Sequence, residues 1–336
     1  MPMTESDNSS VIPHQISIVI PVYSGESTLR PLLNEILPQT SVTPSPGGSR
    51  WVVNEVILVF DNGSDGSAEV IRELERQHPF VRSVWLSRNY GQHSATLAGM
   101  SATTSEWIVT MDEDGQHDPV DIGALLDAAV IANAPLVYAR PTNDAPHGLF
   151  RNSASNLAKF IVAKLSGNPA TADYQSFRLI LGEIGRDVAK FVGPGIYLDV
   201  ALGWVTTKAA TADVPLRRHS ERESGYSTMK LLAHFLRLIL SSGTRGLRLV
   251  SGMGVVSALA GLVLAAIFAA QRLIDGTLPE GWASQIVVML ITSGAILFAL
   301  GVIAEYIGIM VNSALGKPPY LVVRDPADGP LGRQRR

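Results

Sequence analysis

The sequence predicts an α/β domain built on a mostly parallel sheet, followed by two apolar helices that form a transmembrane hairpin. Apolar runs of strand length alternate with stretches of helical spacing from residue 16 to residue 132. Carboxylates stand at the exits of two of these runs, Asp61 after residues 56–60 and Asp112 after residues 107–110. Residues 250–270 and 286–304 then carry no charge, and about 20 such residues cross a hydrocarbon core as a helix.

The elements follow in order. Residues 1–14 are polar, include Glu5 and Asp7, lack a basic-then-apolar signal pattern and are expected to be disordered. Residues 16–21 read as a buried strand closed by Pro21, and 27–37 have helical spacing. Residues 39–50, rich in Pro, Ser and Gly, read as an exposed loop. A second strand at 56–60 runs into Asp61-Asn62-Gly63-Ser64-Asp65-Gly66, and a helix over 67–77 starts with Ser67 as its cap. A short strand at 84–86, a helix over 93–102, a strand at 107–110 and a helix from about 120 to 132 complete the alternation. Asp118 before Pro119 reads as an N-cap with proline at the first helical position.

In such sheets ligands bind at the carboxyl ends of the strands. Asp112, Asp114 and Gln116 leave the strand at residue 110 with one residue between each. Hard divalent cations take oxygen ligands and share them between one or two carboxylates and substrate phosphates. The spacing therefore suits Mg²⁺ or Mn²⁺ held against a diphosphate. No Gly-x-Gly-x-x-Gly follows the first strand and no Walker lysine is present, which argues against a dinucleotide enzyme or a P-loop ATPase. There is no cysteine, so a disulfide framework, a thiol catalyst and a thiolate metal site are excluded.

Charge sets the orientation. The net charge of −3 hides a basic stretch, 217–248, with seven Arg or Lys against Glu221 and Glu223, a local +5. Lys317, Arg324, Arg333, Arg335 and Arg336 follow the second apolar run, whereas the connecting loop carries only Arg272. Basic flanks mark the cytoplasmic side, so the soluble domain and both termini are expected in the cytoplasm beneath a multi-pass inner membrane. The basic stretch would attract anionic lipid or a phosphate head group, and residues 229–248 read as an amphipathic segment on the membrane surface or as a core helix.

The motifs together carry a resemblance. Ser17 to Tyr23, Val59 to Ser67, Ser87 to His93, Met111 to Pro119, Ser176 to Leu179, Glu305 to Gly308 and Gly316 to Tyr320 resemble family-2 glycosyltransferases. The subgroup they resemble is the polyprenyl-phosphate glycosyltransferases, which includes dolichyl-phosphate mannose synthases and bacterial undecaprenyl-phosphate sugar transferases. The resemblance spans about residues 16–323. It implies a GT-A-like, Rossmann-related catalytic domain over 15–228, membrane helices near 250–271 and 285–311 within 249–311, and a cytoplasmic tail at 312–336.

It also implies roles. Pro21, Tyr23, Glu26, Asp61, Asp112, Glu113 and Arg140 would face the nucleotide-sugar, with Asp61 accepting from the base. Asp112, Asp114 and Gln116 would hold the metal. Arg151, Arg178, Arg218, Arg222, Ser224 and Tyr226 would meet the acceptor phosphate, and Asp112, Asp114 and Arg178 would carry catalysis. The chain departs from the family pattern at Gly25, where a Glu is usual, and at Gly225, where a Lys is usual.

The implied reaction moves a sugar, with inversion, from a nucleotide-diphosphate sugar to a polyprenyl phosphate, giving a membrane sugar donor for cell-envelope glycans. A phosphate monoester is already anionic near neutral pH, so the acceptor needs little help from a general base. The alternative is a non-catalytic membrane scaffold, or a subunit translocating lipid-linked sugars, with a vestigial nucleotide-sugar fold. A processive polysaccharide synthase is disfavoured, since no Gln-x-x-Arg-Trp is present. Arg88 and Asn89 read equally as turn residues, and His93 and His117 as ordinary surface or capping histidines. Glu305 reads either as a residue snorkelling to the interface or as a contact between subunits of a homo-oligomer. Nucleic acid is not an expected partner.

Overall fold

The computed structural model describes residues 12–142, 175–206, 208–217, 245–275 and 281–330. Its centre is β1 (His14–Val22), flanked in parallel by β3 (Arg50–Phe60) and β5 (Trp107–Thr110). The apolar run of β1 is buried on both faces because helices cover both. Ile16, Ile18, Ile20 and Val22 face α1 (Leu29–Ile36), α2 (Ser67–Gln77) and α4 (Ile122–Ala132). Val19 faces α3 (Gln92–Ala102), α5 (Gly182–Phe191) and α6 (Leu198–Val205).

The short β2 (Thr43–Pro44) pairs antiparallel with β3, inside the stretch expected to be a loop. The remaining strands are β4 (Val81–Leu86), β6 (Leu136–Pro141), β7 (Arg178–Leu181), β8 (Ala209–Val214) and β9 (Val322–Val323). The sheet order is β8-β6-β7-β5-β1-β3-β4-β9. β7 runs antiparallel between β5 and β6, and β9 antiparallel on β4. The mostly parallel α/β domain of the sequence reading is thus present, with these antiparallel additions.

Two helix starts behave differently. Asp118 caps as expected, its side chain accepting from the Val120 N–H at 3.0 Å, with Pro119 opening the short turn before α4. Ser67 does not cap α2. It is the first helical residue, and its hydroxyl accepts from the Gly25 N–H at 2.7 Å and donates to Asp65 at 2.6 Å.

After the domain come α7 (Arg245–Asp275) and α8 (Trp282–Ala314), which pack against each other. Among the described residues one window, Ile291–Ala314, is long and apolar enough to cross a membrane, and none of it is buried by protein. Two such helices were expected. In α7 the apolar stretch is the shorter Val250–Leu264, about 22 Å long at 1.5 Å per residue against a hydrocarbon core of about 30 Å.

The tail after α8 is part of the fold. β9 extends the sheet, Leu321 accepts from the Ser87 N–H at 3.0 Å, and Asp325 takes a two-point grip from Arg72 at 2.6 and 2.8 Å. Arg72 also lies over the Trp85 ring, 4.8 Å from its centroid. Paired Arg–carboxylate bonds of this kind are among the stronger surface contacts. Asp325→Ala is expected to lower stability by about 1–2 kcal/mol, read as a lower melting temperature of the detergent-solubilised protein.

Candidate functional site

The carboxyl ends of β1, β3 and β5 open on one edge of the sheet. Beyond β1, the Tyr23 and Ser24 N–H groups donate to Glu113 at 3.1 and 2.9 Å. Pro21 is half-buried in β1, and the Tyr23 residue is 46 % exposed. Glu26 accepts from the Gly66 N–H at 2.9 Å, tying the first loop to the turn after β3. That turn approaches closely: a Cβ on Gly63 would sit 1.8 Å from the Tyr23 carbonyl oxygen, so glycine is required there.

Asp61 leaves β3 pointing inward. Its carboxylate accepts from the Tyr90 and Gly91 N–H groups at 2.7 and 2.8 Å, and Gly91 has φ +88°, the left-handed region that glycine supplies. Burial pushes the Asp61 carboxyl above its ordinary range, against the pull of those two bonds. Asp61 therefore holds the loop between β4 and α3. A carboxylate has lone pairs for a further donor, although the residue is only 3 % exposed. In the same loop Asn89 accepts from the Gly91 N–H at 2.9 Å and Arg88 stacks on Tyr90, as the turn reading has it.

The loop after β5 is the centre of the site. Asp112 accepts from the Gln92 amide at 2.5 Å and from the Ser176 hydroxyl at 2.6 Å. Burial raises its carboxyl, and the neighbouring Asp114 adds to the effect. Asp114 accepts from the Gln116 N–H at 3.0 Å across a turn in which Gly115 has φ +71°. The Gln116 carbonyl accepts from the Arg217 N–H at 3.0 Å, and the Arg217 side chain grips Glu35 and Asp118. His117 is buried and stacked on Phe177, 4.9 Å between centroids, and burial lowers its basicity, so it is neither a surface nor a capping residue.

A cavity of about 250 Å³ adjoins Asp112 and is lined by Gln92, His93, Ser176, Arg178 and Asp199 among others. Arg178 is buried and donates to Thr110 at 3.0 Å and to Asp199. Burial works against its charge, and the Asp199 carboxylate outweighs that, holding its pKa above the ordinary value.

The structure thus brings Asp112 and Arg178 to one cavity, with Asp114 beside Asp112 and Gln116 in the same loop. Glu113, Glu26 and Asp61 support the loops around them. Arg140 pairs with Asp213 on β8 at 2.6 Å and does not line this cavity. Arg151, Arg218, Arg222, Ser224 and Tyr226 lie outside the described residues, as does most of 229–248. Sequence reading missed Gln92, Ser176 as a partner of Asp112, and Asp199. An acid in the first turn of a short helix was the only local signal for Asp199.

Among the described residues no three acidic or histidine side chains form a metal cage. The donor set nevertheless fits a hard cation that completes its shell with phosphate oxygens. Two carboxylates and an amide lie within one tight loop, and Asp112 and Asp114 repel each other there, a repulsion that a cation relieves.

Asp121, just past this loop, has a buried oxygen without a hydrogen-bond partner among the described residues. Burial, with Asp118 nearby, raises its pKa from 3.8 to about 6. The folded state therefore binds this proton more tightly than the unfolded chain, and stability falls as pH rises from about 4 to 6. Asp121→Asn is expected to flatten that decline and to raise the melting temperature at pH 7, measured as thermal melts across pH 4–8.

Comparison with known proteins adds the family. The model described as glycosyl transferase family 2 matches residues 17–184, covering β1 through the start of α5. The chain is a family-2 glycosyltransferase. Among its relatives, the undecaprenyl-phosphate 4-deoxy-4-formamido-L-arabinose transferase of Photorhabdus laumondii is 31 % identical over 315 residues, covering 92 % of this chain and 93 % of that one. The protein of the same description from Edwardsiella ictaluri is 31 % identical over 317 residues, covering 91 % and 93 %. The UDP complex of glucosyl-3-phosphoglycerate synthase from Mycobacterium tuberculosis aligns with a TM-score of 0.46 at 17 % identity, over 69 % of this chain and 80 % of that one. The matches to the two transferases extend past the α/β domain of this glycosyltransferase into α7 and α8.

Proposed function

We propose that this family-2 glycosyltransferase moves a sugar from a nucleotide-diphosphate sugar to a polyprenyl phosphate, with inversion at the anomeric carbon. The observation that carries the reading is the Asp112–Asp114 loop at the sheet edge, opening on a cavity that also holds the buried Arg178 cation. One wall suits a cation-bridged diphosphate, the other an anionic acceptor. Relatives aligned over nine-tenths of the chain are described as undecaprenyl-phosphate transferases, which supports a lipid phosphate as acceptor and a product used in cell-envelope glycans.

Asp112, Asp114 and the Gln116 amide would hold Mg²⁺ or Mn²⁺, which when bound supplies positive charge to the departing diphosphate. Pro21, Tyr23 and Asp61 would border the nucleotide, with Glu26 and Glu113 shaping its loop. Arg178 meets the acceptor phosphate and orients it, since positioning is most of what this displacement requires. Arg140, near the carboxyl end of β6, would join the nucleotide contacts by exchanging its exposed pair with Asp213 for a phosphate oxygen.

In this reading the chain is a multi-pass inner-membrane protein. The basic flanks support a catalytic domain and termini on the cytoplasmic side, with α7 crossing beside α8. The test mixes the purified protein, Mg²⁺ or Mn²⁺, a panel of nucleotide sugars and a short-chain polyprenyl phosphate. Metal-dependent nucleotide release with formation of a lipid-linked sugar is expected. No release with any donor would favour the scaffold alternative, and a retained anomer would remove the single-displacement step.

A further inference from the structure

We propose that Asp199 is a positioning residue that turns Arg178 toward the lipid phosphate acceptor. The inference rests on the acceptor reading above. It starts from sheet register. Arg178 opens β7, and its neighbours across the sheet are Thr110 on β5 and Tyr138 on β6. Both take part in fixing it.

The Thr110 hydroxyl donates to the Ser176 carbonyl at 2.6 Å, which leaves a lone pair to accept from Arg178 Nε at 3.0 Å. Asp199 Oδ1 accepts from Arg178 Nη1 and from the Tyr138 hydroxyl at 3.1 Å. A guanidinium is planar and its donors form a rigid fork. With Nε and Nη1 engaged, the direction of Nη2 is set. It is the guanidinium nitrogen without an acceptor among the described residues, in a side chain that lines the cavity beside Asp112.

Asp199 is itself anchored. It lies in the first turn of α6, where a helix favours negative charge. Tyr197, which precedes that helix, meets the His93 ring edge-on at 4.5 Å. His93 and Gln92 open α3, and Gln92 binds Asp112. The guanidinium and the metal-loop carboxylate are therefore referenced to the same helix start. If the Arg178–Asp199 pair served stability alone, its loss would change the melt and leave acceptor affinity where it was.

The experiment uses the full chain in lipid nanodiscs, with Asp199→Asn, Asp199→Glu and Tyr138→Phe. Melting temperature, kcat and KM for donor and for a short polyprenyl phosphate are measured, together with direct binding of that phosphate. Asp199→Asn is expected to raise the acceptor KM by about tenfold or more with the donor KM within about twofold. Asp199→Glu should recover part of the loss, and Tyr138→Phe should shift acceptor KM in the same direction by less. A folded Asp199→Asn with wild-type acceptor KM overturns the proposal. Should that variant not fold, an unchanged acceptor KM in Tyr138→Phe overturns it. Wild-type protein that neither binds nor glycosylates the lipid phosphate overturns both readings together, whereas wild-type turnover with unmoved variants overturns this one alone.

Discussion

Asp114→Asn is expected to cut turnover by about 10²–10³-fold or more, the scale seen when a principal electrostatic stabiliser is removed from a reacting centre. The variant should remain folded and membrane-embedded. Asp114 makes its hydrogen bond within its own loop, to the Gln116 N–H, and an Asn side-chain oxygen can accept that bond equally well. The substitution therefore removes charge and little else. Asp112 is a poorer probe, because Gln92 and Ser176 both depend on its carboxylate and its loss would also disturb α3 and the start of β7. The assay is nucleotide release at saturating donor over a titration of Mn²⁺. Near-normal turnover in Asp114→Asn would remove the metal assignment from this loop.

The second large effect is on stability. Arg178→Ala leaves Asp199 buried without its partner, and breaking a buried pair from one side costs about 3–5 kcal/mol. Thr110 and Tyr138 also lose their place in the network. A fall in melting temperature on the order of 10 °C is expected, along with loss of activity. The double variant Arg178→Met with Asp199→Leu separates the two consequences. It removes both charges, so much of the stability should return while activity stays lost. A double variant as unstable as Arg178→Ala would show that the destabilisation comes from packing and not from the orphaned carboxylate.

Much of the domain was legible because its signals are local. Period and boundary residues gave β1, β3, β5 and the helices between them. The Asp118–Pro119 cap and the Asp112-x-Asp114 loop are likewise set by residues next to each other in sequence. What escaped is long-range. Nothing near Arg140 marks Asp213 as its partner 73 residues on. Asp199 lies 21 residues past Arg178 and meets it only because β7 inserts between β5 and β6. Ser67 looked like a cap because it begins a helical pattern, yet its hydroxyl is drawn away to Gly25 and Asp65. The two-residue β9 has no periodicity of its own, and it is a strand only because β4 offers an open edge. The first of the two expected membrane helices was read from an apolar run without charge over 250–270, and small residues such as Gly252, Gly254 and Gly261 shorten its apolar stretch to Val250–Leu264.

The return of the tail to that edge has a mechanical consequence. From Ala314, the last residue of α8, to Leu321, clasped by Ser87, the polypeptide reaches at most about 25 Å even when drawn taut. Arg217, where the described part of the domain ends, is clipped to Glu35 and Asp118. The tail thereby holds the domain within that reach of the end of α8. In the proposed reaction, an isoprenoid phosphate would then be met without leaving the lipid, and its search would be confined to two dimensions.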